Sequence, residues 1–158
     1  MARYAEGTDV PPERSRAEIE GTVRRYGAGQ FLSGYSEDRA VVGFTAHGRQ
    51  VRFIIMVPPL EDFATTPGGV KRNPAQQRSA REAEERRRWR CLALSIKAKL
   101  EAVASEIVTF EDEFLAHIVL PGGGTVGDHI RPAIDTAYST GQMPPLLPDF
   151  SGGKGSRK

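Results

Sequence analysis

The densest group of chemically capable side chains lies between Arg78 and Lys99. Arg86, Arg87, Arg88 and Arg90 are nearly contiguous, Arg78 and Arg81 precede them, and Lys97 and Lys99 follow. On a helix, Arg86 and Arg90 stand one turn apart and Lys97 continues along roughly the same side. Guanidinium groups in such a row suit phosphate contacts, and the indole of Trp89 suits stacking on an unpaired base. Two ordinary roles compete with that chemistry. Glu82, Glu84 and Glu85 sit at helical spacing from the arginines and can pair with them. Trp89 also opens the series Trp89-Leu92-Ile96-Leu100-Val103-Ile107, whose spacing is that of a buried helix face. The indole is read first as core. The arginines stand between phosphate contact and a solvated, paired face.

Other residue sets carry weaker chemistry. Gly122-Gly123-Gly124-Thr125-Val126-Gly127 has the G-x-G-x-x-G form in which glycine backbones and a helix N-terminus hold phosphate. Too little chain follows for a nucleotide-binding βαβ unit, and acidic residues surround the segment, so a tight glycine turn is expected. His117 and His129 flank it, with Glu111, Asp112, Glu113 and Asp128 close by. Glu113 and His117 are one helical turn apart and could bind a metal with a third ligand, but the spacing matches no zinc signature and no Cys pair is present, so a capping acidic turn with an exposed or packed His is expected. His47 reads as a turn residue. The single Cys91 lacks a His or Asn context for nucleophilic chemistry and cannot form an internal disulfide. Ser33 has no nucleophile elbow, and the only carboxylates near strand ends, Glu37 and Asp38, are too few for a metal-dependent nuclease. The chain is therefore read as non-catalytic, with no catalytic residue, metal or cofactor.

The elements that must position these residues follow from composition and pattern. The 158 residues, 39 % of them apolar, suit one domain with its own core. No apolar run is long enough to span a bilayer and no signal-peptide core precedes the first helix, so a cytoplasmic protein without a membrane partner is expected. The formal charge is only +2, but it is unevenly spread. Residues 73–105 carry eight Lys/Arg against four Asp/Glu, a net of +4, and residues 106–150 carry one against seven, a net of −6. Such asymmetry suits either an anionic partner or two segments that attract each other.

An α+β class is expected: a helix, a three-stranded antiparallel meander, a long helix and a small C-terminal helical part. The first helix spans about Glu13 to Tyr26 and is stopped by Gly27 and Gly29. Gln30–Ser36, Arg39–Thr45 and Gln50–Val57 read as strands joined by turns at Glu37-Asp38 and His47-Gly48. Two-residue loops there pair Phe44 with Val51, Val42 with Phe53 and Ala40 with Ile55, and also Tyr35 with Ala40, Ser33 with Val42 and Phe31 with Phe44. Phe31, Tyr35, Val42, Phe44, Val51, Phe53 and Ile55 then share one face. The other face is mixed: Leu32, Val41, Ile54 and Met56 stand among Arg39, Arg52, Gly34 and Gly43. Residues 60–72 form a long polar loop suited to flexibility or binding. Asn73-Pro74-Ala75-Gln76 is a capping-box start for the long helix, which runs to about Ile107. A short acidic helix begins at Thr109. A last helix from about Gly127 to Tyr138 buries Ile130, Ile134 and Ala137. Residues 1–150 make one domain, with an α-β-β-β-α core at 13–107 and an acidic C-terminal subdomain at 108–150. Pro144–Pro148 is expected to be extended and residues 151–158 to be a disordered tail.

The element order at residues 13–107 resembles that of double-stranded-RNA-binding domains. It also resembles the β-β-β-α core of single-strand-annealing recombinases, in which a basic groove beside sheet and helix holds DNA. The segments Ser15-Arg16-Ala17-Glu18-Ile19-Glu20, Arg24-Arg25-Tyr26-Gly27-Ala28, Trp89-Arg90-Cys91-Leu92-Ala93-Leu94, Phe110-Glu111-Asp112-Glu113-Phe114-Leu115 and Met143-Pro144-Pro145-Leu146-Leu147-Pro148 are similar in style to small phage- and prophage-encoded proteins of unknown activity. That resemblance implies a role in phage DNA metabolism. The leading expectation is non-catalytic binding of single-stranded DNA through Arg86, Arg87, Arg90 and Lys97, extended by Arg52 and Arg39. The alternative is a protein-interaction module, an inhibitor or assembly factor, that docks through the mixed sheet face, the acidic block or Pro144–Pro148.

Overall fold

The computed structural model describes residues 3–146. Pro148 and the 151–158 tail lie outside the described residues, as does the rest of the segment from 147 onward. The class is α+β. Helix α1 (Pro12–Arg25) leads into β1 (Gln30–Tyr35), β2 (Arg39–Ala46) and β3 (Arg49–Met56), then the long helix α2 (Pro74–Ala104), the short α3 (Phe110–Phe114) and α4 (Val126–Thr140).

Helix α1 starts with Pro12 in its first turn and ends in a Schellman closure. Gly27, at φ +90°, donates to the Arg24 carbonyl, and Ala28 donates to that of Val23. The meander has strand order β1-β2-β3, with every pairing that the two turns demand: Phe31 with Phe44, Tyr35 with Ala40, Val42 with Phe53 and Phe44 with Val51. His47 and Gly48 both take positive φ, +51° and +70°, as a primed hairpin turn requires. Val42, Phe44, Val51, Phe53 and Ile55 are buried beneath α1 and α2, with Ile19, Val23, Trp89, Ala93, Ile96 and Leu100. Tyr35 departs from the expectation. It sits at the end of the edge strand, beyond the cover of the helices, and is 86 % exposed.

Helix α2 opens on the full capping box: Gln76 N–H donates to the Asn73 side chain and Asn73 N–H to the Gln76 side chain, at 2.9 and 3.0 Å. Its C-terminus falls three residues short of the expected Ile107. Glu106 adopts φ +57° and donates to Val103, while Ile107 donates to Ala102. This is again a Schellman closure, made here by a non-glycine residue. It turns the chain away before the apolar series is complete, so Ile107 is exposed. Helix α3 then folds back onto α2. Phe110 and Phe114 enter the same core as the sheet, with Phe114 edge-on to Phe44 and Phe53.

The loop before α2 is closed by its own bonds. Leu60–Phe63 form a 3-10 turn, Thr65 bridges Lys71, and Arg72 donates to the Phe63 and Thr65 carbonyls. The triple glycine makes a tight turn: Leu120 N–H donates to Gly124, and Gly122 and Gly123 take φ near +98° and +95°. Helix α4 buries Val126 and Ala133, whereas Ile134 stays exposed. The expected stripe of Ile130, Ile134 and Ala137 is thus only partly covered, because the helix rests chiefly on the small turn at Leu115–His117. No helix among the described residues is long and apolar enough to cross a membrane.

Candidate functional site

The arginines of α2 are largely committed inside the molecule. Arg86 Nε donates to the Thr8 carbonyl at 3.1 Å and so holds the N-terminal arm against the helix. Arg87 makes two hydrogen bonds to the Glu84 carboxylate, at 2.8 and 2.7 Å, and Arg88 makes a third at 2.9 Å. Arg3 of the arm approaches the same carboxylate at 3.6 Å. The Arg87 hydrogen bond, then that of Arg88, holds Glu84 down to about 2 against the opposing effect of burial. Arg90 pairs with Glu18 of α1, Arg88 also reaches the Met56 carbonyl, and Arg81 donates to the carbonyls of Pro58 and Glu37. Lys99 pairs with Glu113 of α3 at 2.8 Å. These side chains fasten the arm, α1, the loop, the sheet and α3 to one helix. Trp89 is only 5 % exposed and belongs to the core, out of reach of a base.

Of the other expected contacts, Lys97 is exposed, with no hydrogen bond or ion pair among the described residues. Arg39 pairs with its neighbour Asp38 at 3.0 Å. Arg86, Arg87, Arg90, Lys97, Arg52 and Arg39 therefore do not converge. The first three serve separate partners around the helix, and Arg39 and Arg52 lie on the far face of the sheet.

His117 and His47 are packing residues. His117 stacks on Phe53 at 4.1 Å between ring centres, and His47 stacks on Phe110 at 4.6 Å. Glu113 is turned to Lys99, and no three His, Cys, Asp or Glu side chains form a metal-holding group among the described residues. The N-terminus of α4 is filled by its own capping box, in which Asp128 accepts from Thr125 N–H at 3.0 Å and donates its own N–H to the Thr125 hydroxyl. A phosphate would find those donors occupied.

The uncovered face of the sheet is the other candidate. Leu32, Ile54 and Met56 are 63 %, 48 % and 51 % exposed there. A trough of about 510 Å³ crosses all three strands between Leu32, Val41, Gly43, Thr45, Gln50 and Arg52. Gly43 puts no side chain on the floor of the trough; a Cβ there would lie in ordinary contact, at 3.4 Å, with the Leu32 side chain and the Val51 carbonyl. Val119 closes one end, because Ile118 bridges Val51 and Val119 N–H donates to the Gln50 carbonyl, adding a stub of chain beside β3. Arg52, directly opposite Gly43, is expected on this face, whereas the sequence pattern does not place Val119 there.

No family model, curated protein or solved structure matches this chain. The resemblance to prophage-encoded proteins thus rests on the quoted residues alone.

Proposed function

We propose that this chain is a non-catalytic interaction module that docks another protein on the open face of its sheet. The observation that carries the reading is that face itself: Leu32 stands exposed at the trough, Ile54 and Met56 stand exposed farther along β3, and the opposite face completes the core. Charge argues for what docks there. The strand positions on this face hold two arginines, Arg39 and Arg52, and no carboxylate. Asp38 already pairs closely with Arg39, whereas Asp128 stands 3.7 Å from Arg52, so Arg52 is the cation left for a partner and an apolar partner with an acidic group fits it.

Phosphate binding along α2 faces an energetic objection. Arg86 and Arg90 each already hold an acceptor through one nitrogen, and drawing Arg87 to a phosphate would take from Glu84 the donors that compensate its partial burial. Of the helix residues expected to bind DNA, only Lys97 has no such acceptor among the described residues.

Affinity capture with three immobilised chains tests the proposal: wild type, Leu32→Glu/Ile54→Glu and Lys97→Glu. The expected result is one partner retained by wild type and Lys97→Glu and lost from the face variant. Anisotropy of a labelled single-stranded oligonucleotide, read across a salt series, is expected to show no binding. Salt-sensitive binding that Lys97→Glu removes and the face variant keeps would overturn the proposal.

A further inference from the structure

Arg52 is the one charged residue in the trough, and the chain does not satisfy it. Its Nε is shielded from solvent and has no acceptor among the described residues. Its Nη2 is 3.7 Å from Asp128, an ion-pair distance but too long for a hydrogen bond. Asp128 is engaged elsewhere, accepting from Thr125 and lying 3.8 Å from Arg131 on its other side. Hydrogen bonds from Thr125, first from its backbone and then from its hydroxyl, hold the Asp128 carboxyl below its ordinary range. A guanidinium presents five donors in a planar fork matched to a carboxylate, and part of this one remains open, the side chain being 30 % exposed. Leu32, Val41 and Val119 supply the apolar remainder of the lining, with Thr45 and Gln50 as neutral polar groups.

We infer that the trough is a carboxylate pocket, and that the partner seats an acidic side chain there with its carboxylate on Arg52 and its methylenes over Gly43. The inference rests on the open face being the docking surface. It adds the chemistry of the group that face selects. Arg131 on the far side of Asp128 keeps the local balance positive, two cations to one anion, so an incoming carboxylate is attracted. The missing side chain at Gly43 is what lets aliphatic carbons reach the backbone between Leu32 and Arg52.

The test needs no knowledge of the partner. Sodium hexanoate and 1-hexanol are titrated separately into the labelled full-length chain and followed by amide chemical shifts. Hexanoate is expected to move residues 30–32, 43–45 and 50–52 saturably, and hexanol at the same concentration to move them far less. Arg52→Gln is expected to abolish the hexanoate response, Arg52→Lys to weaken it, and Gly43→Val to block it by filling the trough. The unperturbed remainder of each variant's spectrum reports that the fold is kept. Equal responses to acid and alcohol, a response that survives Arg52→Gln, or no response at all would overturn the pocket. A failed pocket beside a face variant that still loses its partner leaves the docking surface intact, whereas the converse result removes the docking surface and keeps the pocket.

Discussion

His117 shows how a side chain whose role is packing can still carry a measurable property. Its ring is pressed on Phe53, beside Lys99, which is itself paired with Glu113. Burial, and then the Lys99 charge, push its pKa below the ordinary histidine value, against a hydrogen bond with the Arg52 backbone. The folded chain thus favours neutral imidazole, while the unfolded chain takes up a proton near pH 6.5. The sign follows from linkage: the stability is complete above the unfolded value and is lost as pH falls through it toward the folded one. His117→Phe keeps an aromatic ring on Phe53 and removes the titration. Denaturation midpoints between pH 7.5 and 5 are expected to fall more steeply for wild type than for this variant. Parallel curves would mean that the ring is not held neutral.

At the scale of elements, the end of α2 is a choice the fold makes against its own residue. Glu106 occupies the left-handed position of the closure, where a side chain costs about 1 kcal/mol and glycine costs nothing sterically. Glu106→Gly is expected to stabilise the protein by up to about 0.5 kcal/mol net of its added freedom when unfolded, raising Tm by about a degree or two. A lower Tm on a thermal scan would show that the side chain contributes more than its strained backbone costs. The same closure explains why this boundary was illegible. Gly27 announces the end of α1 in the sequence, whereas nothing about Glu106 announces a left-handed residue, and the apolar spacing continues to Ile107. The meander was legible because two turns and one alternation fix a register between them, and Asn73 with Gln76 marks the start of α2 through bonds only a cap needs. The candidate site was less so. Arg52 opposite Gly43 follows from the register. Whether an arginine on α2 meets phosphate or a carbonyl 78 residues away depends on tertiary contacts that spacing does not encode.

For the molecule as a whole, the arginine-rich helix acts as a mast to which other segments are tied, and the N-terminal arm is the least covered of these. The arm holds on through Arg3 to Glu84, the Thr8 carbonyl to Arg86 and the Tyr4 carbonyl to Cys91 Sγ, the last at 3.7 Å. None of these contacts is deep in the core, so a chain lacking residues 1–9 is expected to fold with a Tm only modestly lowered. Cys91 then loses the segment that shields it, and its reaction with a thiol reagent should quicken several-fold. Arg86 simultaneously loses its acceptor, which gives phosphate binding along α2 its most favourable case. If the truncated chain gains salt-sensitive affinity for single-stranded oligonucleotides while the intact chain has none, the arm is what withholds the helix from nucleic acid. If thiol reactivity rises and oligonucleotide affinity stays absent, the arginines serve the fold alone. Unchanged thiol reactivity would show that the arm does not shield Cys91, whose Sγ hydrogen-bonds, among the described residues, only the Tyr4 carbonyl of the arm and Arg87 of the same helix.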